Sequence, residues 1–225
     1  MNVQYRHEWK HEINYSDLLA IRMRLRAVAR SDPHAIDGKY KIRSLYFDDP
    51  TDRALREKID GVNEREKFRI RYYNGDASLI HLEKKSKRNG LGTKLSAPLT
   101  AEEVRSLLGG DAEWTLDSPH ALLRELGCKM RNERLAPKTI VDYTREPFVF
   151  EPGNVRVTLD YDIRTALSCR EFLDPDCVTI PAGNAPIILE VKWDAFLPAV
   201  IRDAAGLSSR RAGAFSKYAQ CRIYG

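Results

Sequence analysis

From residue 4 to residue 13 the chain alternates with period two. Arg6, Glu8, Lys10 and Glu12 fall on one face of an extended strand, and His7, Trp9, His11 and Ile13 on the other. The alternation recurs. Lys67, Arg69 and Arg71 alternate with Phe68, Ile70 and Tyr72, and His81, Glu83 and Lys85 share a face opposite Ile80 and Leu82. Arg156, Thr158 and Asp160 alternate with Val155, Val157 and Leu159, and Glu190 and Lys192 with Leu189 and Val191. A weaker version surrounds Tyr143 and Arg145. Together with turn signals this predicts strands over about 4–13, 40–48, 66–73, 78–86, 92–97, 138–150, 154–162 and 186–193. Asn74-Gly75-Asp76 is a hairpin signal, and Asn89-Gly90 marks a second turn.

Between the strands the period changes. Leu18, Ile21, Leu25 and Val28 stand at helical spacing, which predicts a helix from an N-cap at Ser16 to about Arg30. Asp48-Asp49-Pro50 opens a short helical turn. Thr100 and Glu103 form a capping box for a helix ending at Gly109-Gly110. Ser118-Pro119 starts another helix, which Gly127 stops. Further helices are expected from Pro198 to about Ala205 and over Phe215 to Cys221. Strands dominating both ends with helices between them predict an α+β fold, with helices packed outside an antiparallel sheet. The whole chain, 1–225, is expected to be a single domain.

A polar strand face ordinarily meets water. Here cations predominate on it, with a few carboxylates among them, in strand after strand. If the sheet closes into a barrel, those charges line its bore and need an anion of high charge density, such as a chain of phosphates. An open sheet with a wet charged face fits the same pattern. The net charge of +5 implies affinity for some anion without choosing it. The 43% apolar fraction suffices for a core. No apolar run approaches the ~20 residues that cross a bilayer, and the N-terminus has no signal-peptide pattern, so a soluble, cytoplasmic protein is expected. Cys128, Cys169, Cys177 and Cys221 form no CxxC pair, and the histidines give no zinc-ligand spacing.

Phosphoryl transfer needs charge neutralisation, an in-line geometry and usually a divalent metal. Arg suits it because a planar fork binds two phosphate oxygens, and Lys supplies a compact charge. Arg69 and Arg71 on one face are the strongest pair, although a solvated face fits them too. Glu8 with Lys10, and Glu83 with Lys85, read equally as ion pairs within a strand. Glu190 lies in the apolar run Ile187–Val191 and needs a partner, either a metal or an Arg. Arg156 and Asp160 could neutralise each other. No GxxxxGK[ST] loop and no nucleophile-base arrangement is present.

The ordered series Arg6-x-Glu8-x-Lys10, Ser44-Leu45-Tyr46-Phe47-Asp48, Lys67-x-Arg69-x-Arg71-Tyr72, Glu83-x-Lys85, Tyr143-x-Arg145, Arg156-x-Thr158-x-Asp160, Glu190-x-Lys192 and Ser216-Lys217-Tyr218 resembles the VTC domain. This is the polyphosphate polymerase domain of the vacuolar transporter chaperone complex. It belongs to the triphosphate tunnel metalloenzymes, whose relatives include the CYTH phosphohydrolases. The resemblance implies a closed antiparallel β-barrel with basic walls. It implies an ATP-dependent polymerase that moves the γ-phosphate onto a growing polyphosphate chain with a divalent metal, Mn2+ or Mg2+. Carried over, Lys10, Arg69, Arg71, Lys85, Arg145 and Lys217 would grip the reacting phosphates and Glu190 would hold the metal. Arg6, Glu8, Glu83, Lys94 and Arg156 would complete the substrate-binding wall. CYTH hydrolases open with Glu-x-Glu-x-Lys, and Arg6 stands where their first Glu would be. One carboxylate fewer and one cation more favour holding a long anion over activating a metal-bound water. A triphosphate or nucleoside-triphosphate hydrolase and a non-catalytic polyphosphate-binding module are the alternatives. No nucleic-acid partner is expected, because the basic faces carry few exposed aromatics to stack bases. The chain lacks the regulatory domain and membrane segments of the eukaryotic complex, so coupling to a membrane would need a separate protein.

Overall fold

The computed structural model describes residues 7–89, 91–184, 186–207 and 211–224. Arg6, an expected substrate-binding cation, and Gly90, an expected turn residue, lie outside the described residues. The elements are β1 (His7–Ile13), α1 (Tyr15–Val28), β2 (Arg30–Ser31), β3 (Tyr40–Asp48), α2 (Arg53–Ile59), β4 (Arg65–Tyr73), β5 (Asp76–Arg88) and β6 (Leu91–Leu99). There follow α3 (Ala101–Leu108), α4 (Ala121–Asn132), β7 (Ala136–Phe150), β8 (Val155–Ala166), β9 (Thr179–Pro181), β10 (Ile187–Trp193), α5 (Ala199–Ala204) and α6 (Lys217–Tyr224). The fold is α+β, a large antiparallel sheet with helices. Strands pair in the order β1-β10-β8-β7-β3-β4-β5-β6, with β2 on β7 and β9 on β8.

The expected closed barrel is not among the described pairings, because the path ends on β1 and on β6. β6 has the chemistry of an edge. Leu91 to Ser96 are exposed, Lys94 puts a charge there, and Pro98 has no N–H to donate. No helix among the described residues is long and apolar enough to cross a membrane.

Contacts divide the chain into two compact units. The first comprises Met1–Lys41, Tyr143–Ile163 and Gly183–Phe215. β1 pairs antiparallel with β10, and β10 with β8. α1 begins on Asn14 instead of Ser16. The Asn14 side chain accepts the Asp17 N–H at 2.8 Å, and the Asp17 carboxylate accepts the Asn14 N–H at 3.3 Å. This reciprocal cap satisfies two orphan donors and fixes the helix start two residues earlier. Leu18, Ile21 and Leu25 turn inward into a core with Ile13, Val157, Leu189, Val191 and Ile201.

The second unit comprises Ile42–Asp142, Arg164–Ala182 and Ser216–Gly225. Its β4–β5 hairpin turns on Asn74 and Gly75, both left-handed at φ 55° and 74°, which is what the Asn-Gly pair supplies at low cost. Leu45, Phe47, Phe68, Ile70, Ile80 and Leu82 form one core with Val104 and Leu107 of α3 and Leu122, Leu123 and Leu126 of α4. The Thr100–Glu103 capping box opens α3 as expected. The Asp48 carboxylate accepts the N–H groups of Ala54 at 2.8 Å and Leu55 at 3.1 Å in the first turn of α2. α6 starts at Lys217 and continues past Cys221 to Tyr224.

Gly127 does not stop α4; the helix runs through it to Asn132. Its role is close approach. A Cβ there would lie 1.8 Å from Thr115 Oγ1, in the 3-10 turn Glu113–Asp117 that packs on the helix. The hydroxyl cannot simply swing away, because Thr115 is fully buried and donates to the Ala112 carbonyl at 2.6 Å. Gly127→Ala is therefore expected to lower stability by about 1–3 kcal/mol through overpacking, despite alanine's better helix propensity. Adding Thr115→Ala should recover part of the loss. Thermal melts of the single and double variants check this, and a single variant as stable as the parent would contradict it.

Candidate functional site

The register of the second unit sorts its polar side chains into rows across the strands. Lys67, Lys85 and Lys94 are successive Cα partners across β4, β5 and β6. The next row is Tyr46, Arg69, Glu83 and Ser96, and the one after it Ser44, Arg71, His81 and Pro98. Partners on one face stand close enough to interact directly. Arg69 grips Glu83 through Nε at 2.6 Å and Nη2 at 2.5 Å, and its Nη1 donates to the Tyr46 hydroxyl at 2.9 Å. Arg71 Nε donates to Ser44 Oγ at 2.9 Å. Lys94 reaches Glu83 from the diagonal position. Lys67 Nζ stands 5.5 Å from the centre of the Tyr46 ring.

Arg69, Arg71 and Glu83 are buried. The solvated-face reading of the two arginines is thereby excluded. Glu83 is paired across strands with Arg69, and not with Lys85 along its own strand. Burial by itself would raise the Glu83 carboxyl. The charges of Arg69, Arg71 and Lys94 outweigh it and bring the group down to about 2. Lys85 is half-buried in the middle of the lysine row and Lys94 is exposed at its end. Lys217 is half-buried at the first position of α6. The following residue, Tyr218, is buried and donates to Asp48 at 2.6 Å, which fixes the start of that helix.

The first unit repeats the device. Glu190 faces Lys10 on β1 and Thr158 on β8; Lys192 faces Glu8 and Arg156. The Glu190 carboxylate meets Lys192 Nζ at 2.5 Å and Lys10 Nζ at 3.4 Å, and Lys10 also contacts Glu8. Burial opposes the Lys10 charge, but Glu190 and Glu8 prevail and hold its ammonium above the ordinary range. Arg145 forks onto Asp160 at 2.6 and 2.7 Å, and Asp160 is fully buried. Arg156 does not neutralise Asp160, as one reading of the sequence had it. Asp160 is taken by Arg145, and Arg156 pairs with Asp32 at 3.0 Å.

Sequence reasoning passed over Lys67 and Lys192 as site residues, although both belong to the period-two pattern that flagged their neighbours. Tyr46 and Ser44 entered only through the Ser44–Asp48 segment of the family resemblance, because by itself an aromatic or a serine in a strand is ordinary. Among the described residues no cluster of three or more His, Cys, Asp or Glu side chains suits a metal. Glu190 nevertheless has hard-oxygen company. Glu8 reaches the same two lysines, and the hydroxyl of Thr158, buried beside Glu190 in register, has no hydrogen-bond partner. These are hard oxygen donors, the type that hard divalent cations take alongside water.

The model of the VTC domain family matches residues 5–223. A search of the curated proteins finds no match. Among solved structures, a candidate adenylate cyclase from Bacillus halodurans aligns at a TM-score of 0.52 and 13% identity, covering 85% of this chain and 82% of that one. The PH1012 protein of Pyrococcus horikoshii OT3 aligns at 0.50 and 14% identity, covering 94% and 96%. At these identities the likeness is one of fold.

The depressed Glu83 carboxyl makes stability depend on pH. Above the ordinary glutamate value of 4.5 the group is ionised in folded and unfolded chains alike, and the ion pairs contribute fully. As pH falls from 4.5 towards about 2, protons bind the unfolded chain first, and that contribution is lost. Glu83→Gln should lower the melting temperature at neutral pH and flatten its decline over this window. Thermal melts against pH check it; an unchanged slope would remove Glu83 as the cause.

Proposed function

We propose that this chain, which belongs to the VTC domain family, is an ATP-dependent polyphosphate polymerase. The observation that carries this reading is the row Lys67, Lys85 and Lys94, set beside the buried Arg69–Arg71 pair. Like charges placed opposite each other across strands destabilise a sheet. A polyanion such as a chain of phosphates, laid along the row, turns that repulsion into attraction. Arg69 and Arg71 offer planar forks for phosphate oxygens, and fixed cations need no reorganisation when charge shifts in the transition state.

In the proposed reaction a terminal oxygen of the polyphosphate attacks the γ-phosphorus of ATP, one P–O bond forms, and the bond to ADP breaks. In the second unit Arg69, Arg71, Lys85 and Lys217 are the proposed phosphate-neutralising cations, with Glu83 and Lys94 beside them; in the first unit Lys10 and Arg145 have that role, with Glu8 and Arg156 as the proposed substrate-binding residues. Glu190, with Glu8 and the Thr158 hydroxyl, would hold a divalent ion. Held there, it would supply Lewis-acid withdrawal of charge from the phosphates. The basic tunnel that the family resemblance implies belongs to this proposal. So does the action of residues 1–225 as one functional domain, which a single family model over 5–223 supports.

A specific observation favours a second reading, a polyphosphate receptor without turnover. Both carboxylates near the proposed metal position are already engaged by Lys10 and Lys192, so a cation must compete with two ammonium groups there. Incubation with ATP and Mn2+, following ADP and long-chain polyphosphate together, separates the readings. The polymerase is expected to form both products. Arg69→Ala and Glu190→Ala should each lower the rate at least about a hundredfold, the scale for losing one group that stabilises transition-state charge. Free phosphate without polymer would mean a hydrolase. ATP left intact, with polyphosphate still raising the melting temperature, would mean a receptor.

A further inference from the structure

Tyr46 and Tyr218 stack with ring centres 4.9 Å apart and planes 24° apart, yet their hydroxyls meet opposite charges. Tyr218 donates to the Asp48 carboxylate at 2.6 Å. Tyr46 receives Arg69 Nη1 at 2.9 Å. Burial and Asp48 both raise the Tyr218 phenol, so it keeps its proton. Burial would raise the Tyr46 phenol too, but Arg69, Lys67 and Arg71 overcome it and bring the group down to about 7.

The groups around Tyr46 show why. From β4 come Lys67, Arg69 and Arg71, all cationic. From β5 comes Glu83, held by Arg69 and by Lys94 of β6. On its own strand Asp48 is engaged by Tyr218 and by two N–H groups of α2. From α6 come Tyr218, Lys217 and Arg222, the last paired with Asp52 at 2.8 Å. Glu83 is thus the carboxylate held by Arg69, and the Tyr46 hydroxyl is the acidic group that receives Arg69 Nη1.

We propose that Tyr46 serves as an internal counter-anion of the arginine pair, and that a triphosphate or polyphosphate anion displaces it in that role, with the phenolate taking up one proton from solvent. An O–H bond forms on Tyr46 and no phosphate bond breaks. The inference rests on the reading of this face as a phosphate site. Once phosphate oxygens neutralise Arg69 and Arg71, the phenol returns towards its ordinary range and binds a proton. By linkage, anion affinity falls as pH rises through about 7, by up to about tenfold per pH unit. Tyr46 is a positioning residue that acts through Arg69.

The test is calorimetric titration with inorganic tripolyphosphate at pH 7, in two buffers of different ionisation enthalpy, for the wild type and Tyr46→Phe. Phe keeps the stacked ring and removes the acid. Subtracting the variant also removes protons taken up by the ligand itself. The wild type should take up about half a proton more than the variant. Tyrosinate absorbance of the wild type should fall as ligand is added, which needs no variant and survives a Tyr46→Phe that fails to fold. Tight binding with equal proton uptake in both proteins, or with no change in tyrosinate absorbance, overturns the role of Tyr46 and leaves the phosphate site standing. A wild type that does not bind tripolyphosphate overturns the site, and the inference with it.

Discussion

Arg69 and Glu83 stand opposite each other on β4 and β5, and both are buried. Removing either takes from the other buried charge its bidentate partner, a change that costs up to about 3–5 kcal/mol when a buried pair is broken. That pairing fixes the register of the hairpin more firmly than the turn does. A slip of one residue would carry Phe68, Ile70 and Leu82 out of the apolar core and send the arginine into it. With the register fixed, the lysines of the neighbouring row fall opposite one another, and Tyr46 falls opposite Arg69. The placement of the cationic rows in this unit therefore follows from a single buried ion pair.

The same trade recurs in the first unit, where Arg145 is held by Asp160 and the two lysines Lys10 and Lys192 by Glu190. Each carboxylate subtracts from the positive potential and in return immobilises a long side chain. A wall of unpaired Lys and Arg would carry more charge but would repel itself apart and lose rotamer freedom on binding. Carboxylates placed among cations give a smaller field with fixed geometry. Under the proposed reading, that suits a substrate whose own charge is high and whose position decides the outcome.

Much of this was legible in the sequence because the signals are local. Period-two alternation gave Lys10, Arg69, Arg71, Glu83 and Glu190 a shared kind of face, and strand placement follows from it. Tyr40–Asp48, the Asn74-Gly75 turn and the Thr100–Glu103 cap needed no tertiary information. The failures are of other kinds. Ser16 and Asn14 are both good caps, and only the reach of the Asn14 side chain to Asp17 decides between them. Gly127 reads as a helix stop because nothing local announces that Thr115 lies against it. Arg156 was matched to Asp160 by proximity along one strand, whereas cross-strand geometry gives Asp160 to Arg145. Partners separated by dozens of residues cannot be read from alternation.

Tyr46 shows where that limit matters most. Its neighbours in sequence, Leu45 and Phe47, are core residues, and a buried tyrosine between them reads as packing. The register changes its meaning by placing the hydroxyl against a guanidinium, while its stacked partner Tyr218 faces a carboxylate. Burial raises both phenols; Asp48 adds to the rise at Tyr218, while Arg69, Lys67 and Arg71 overturn it at Tyr46. Ordinary phenols are inert near neutral pH. Here the cations around Arg69 also set the acidity of Tyr46, so any anion that neutralised them would be linked to the protonation of the protein.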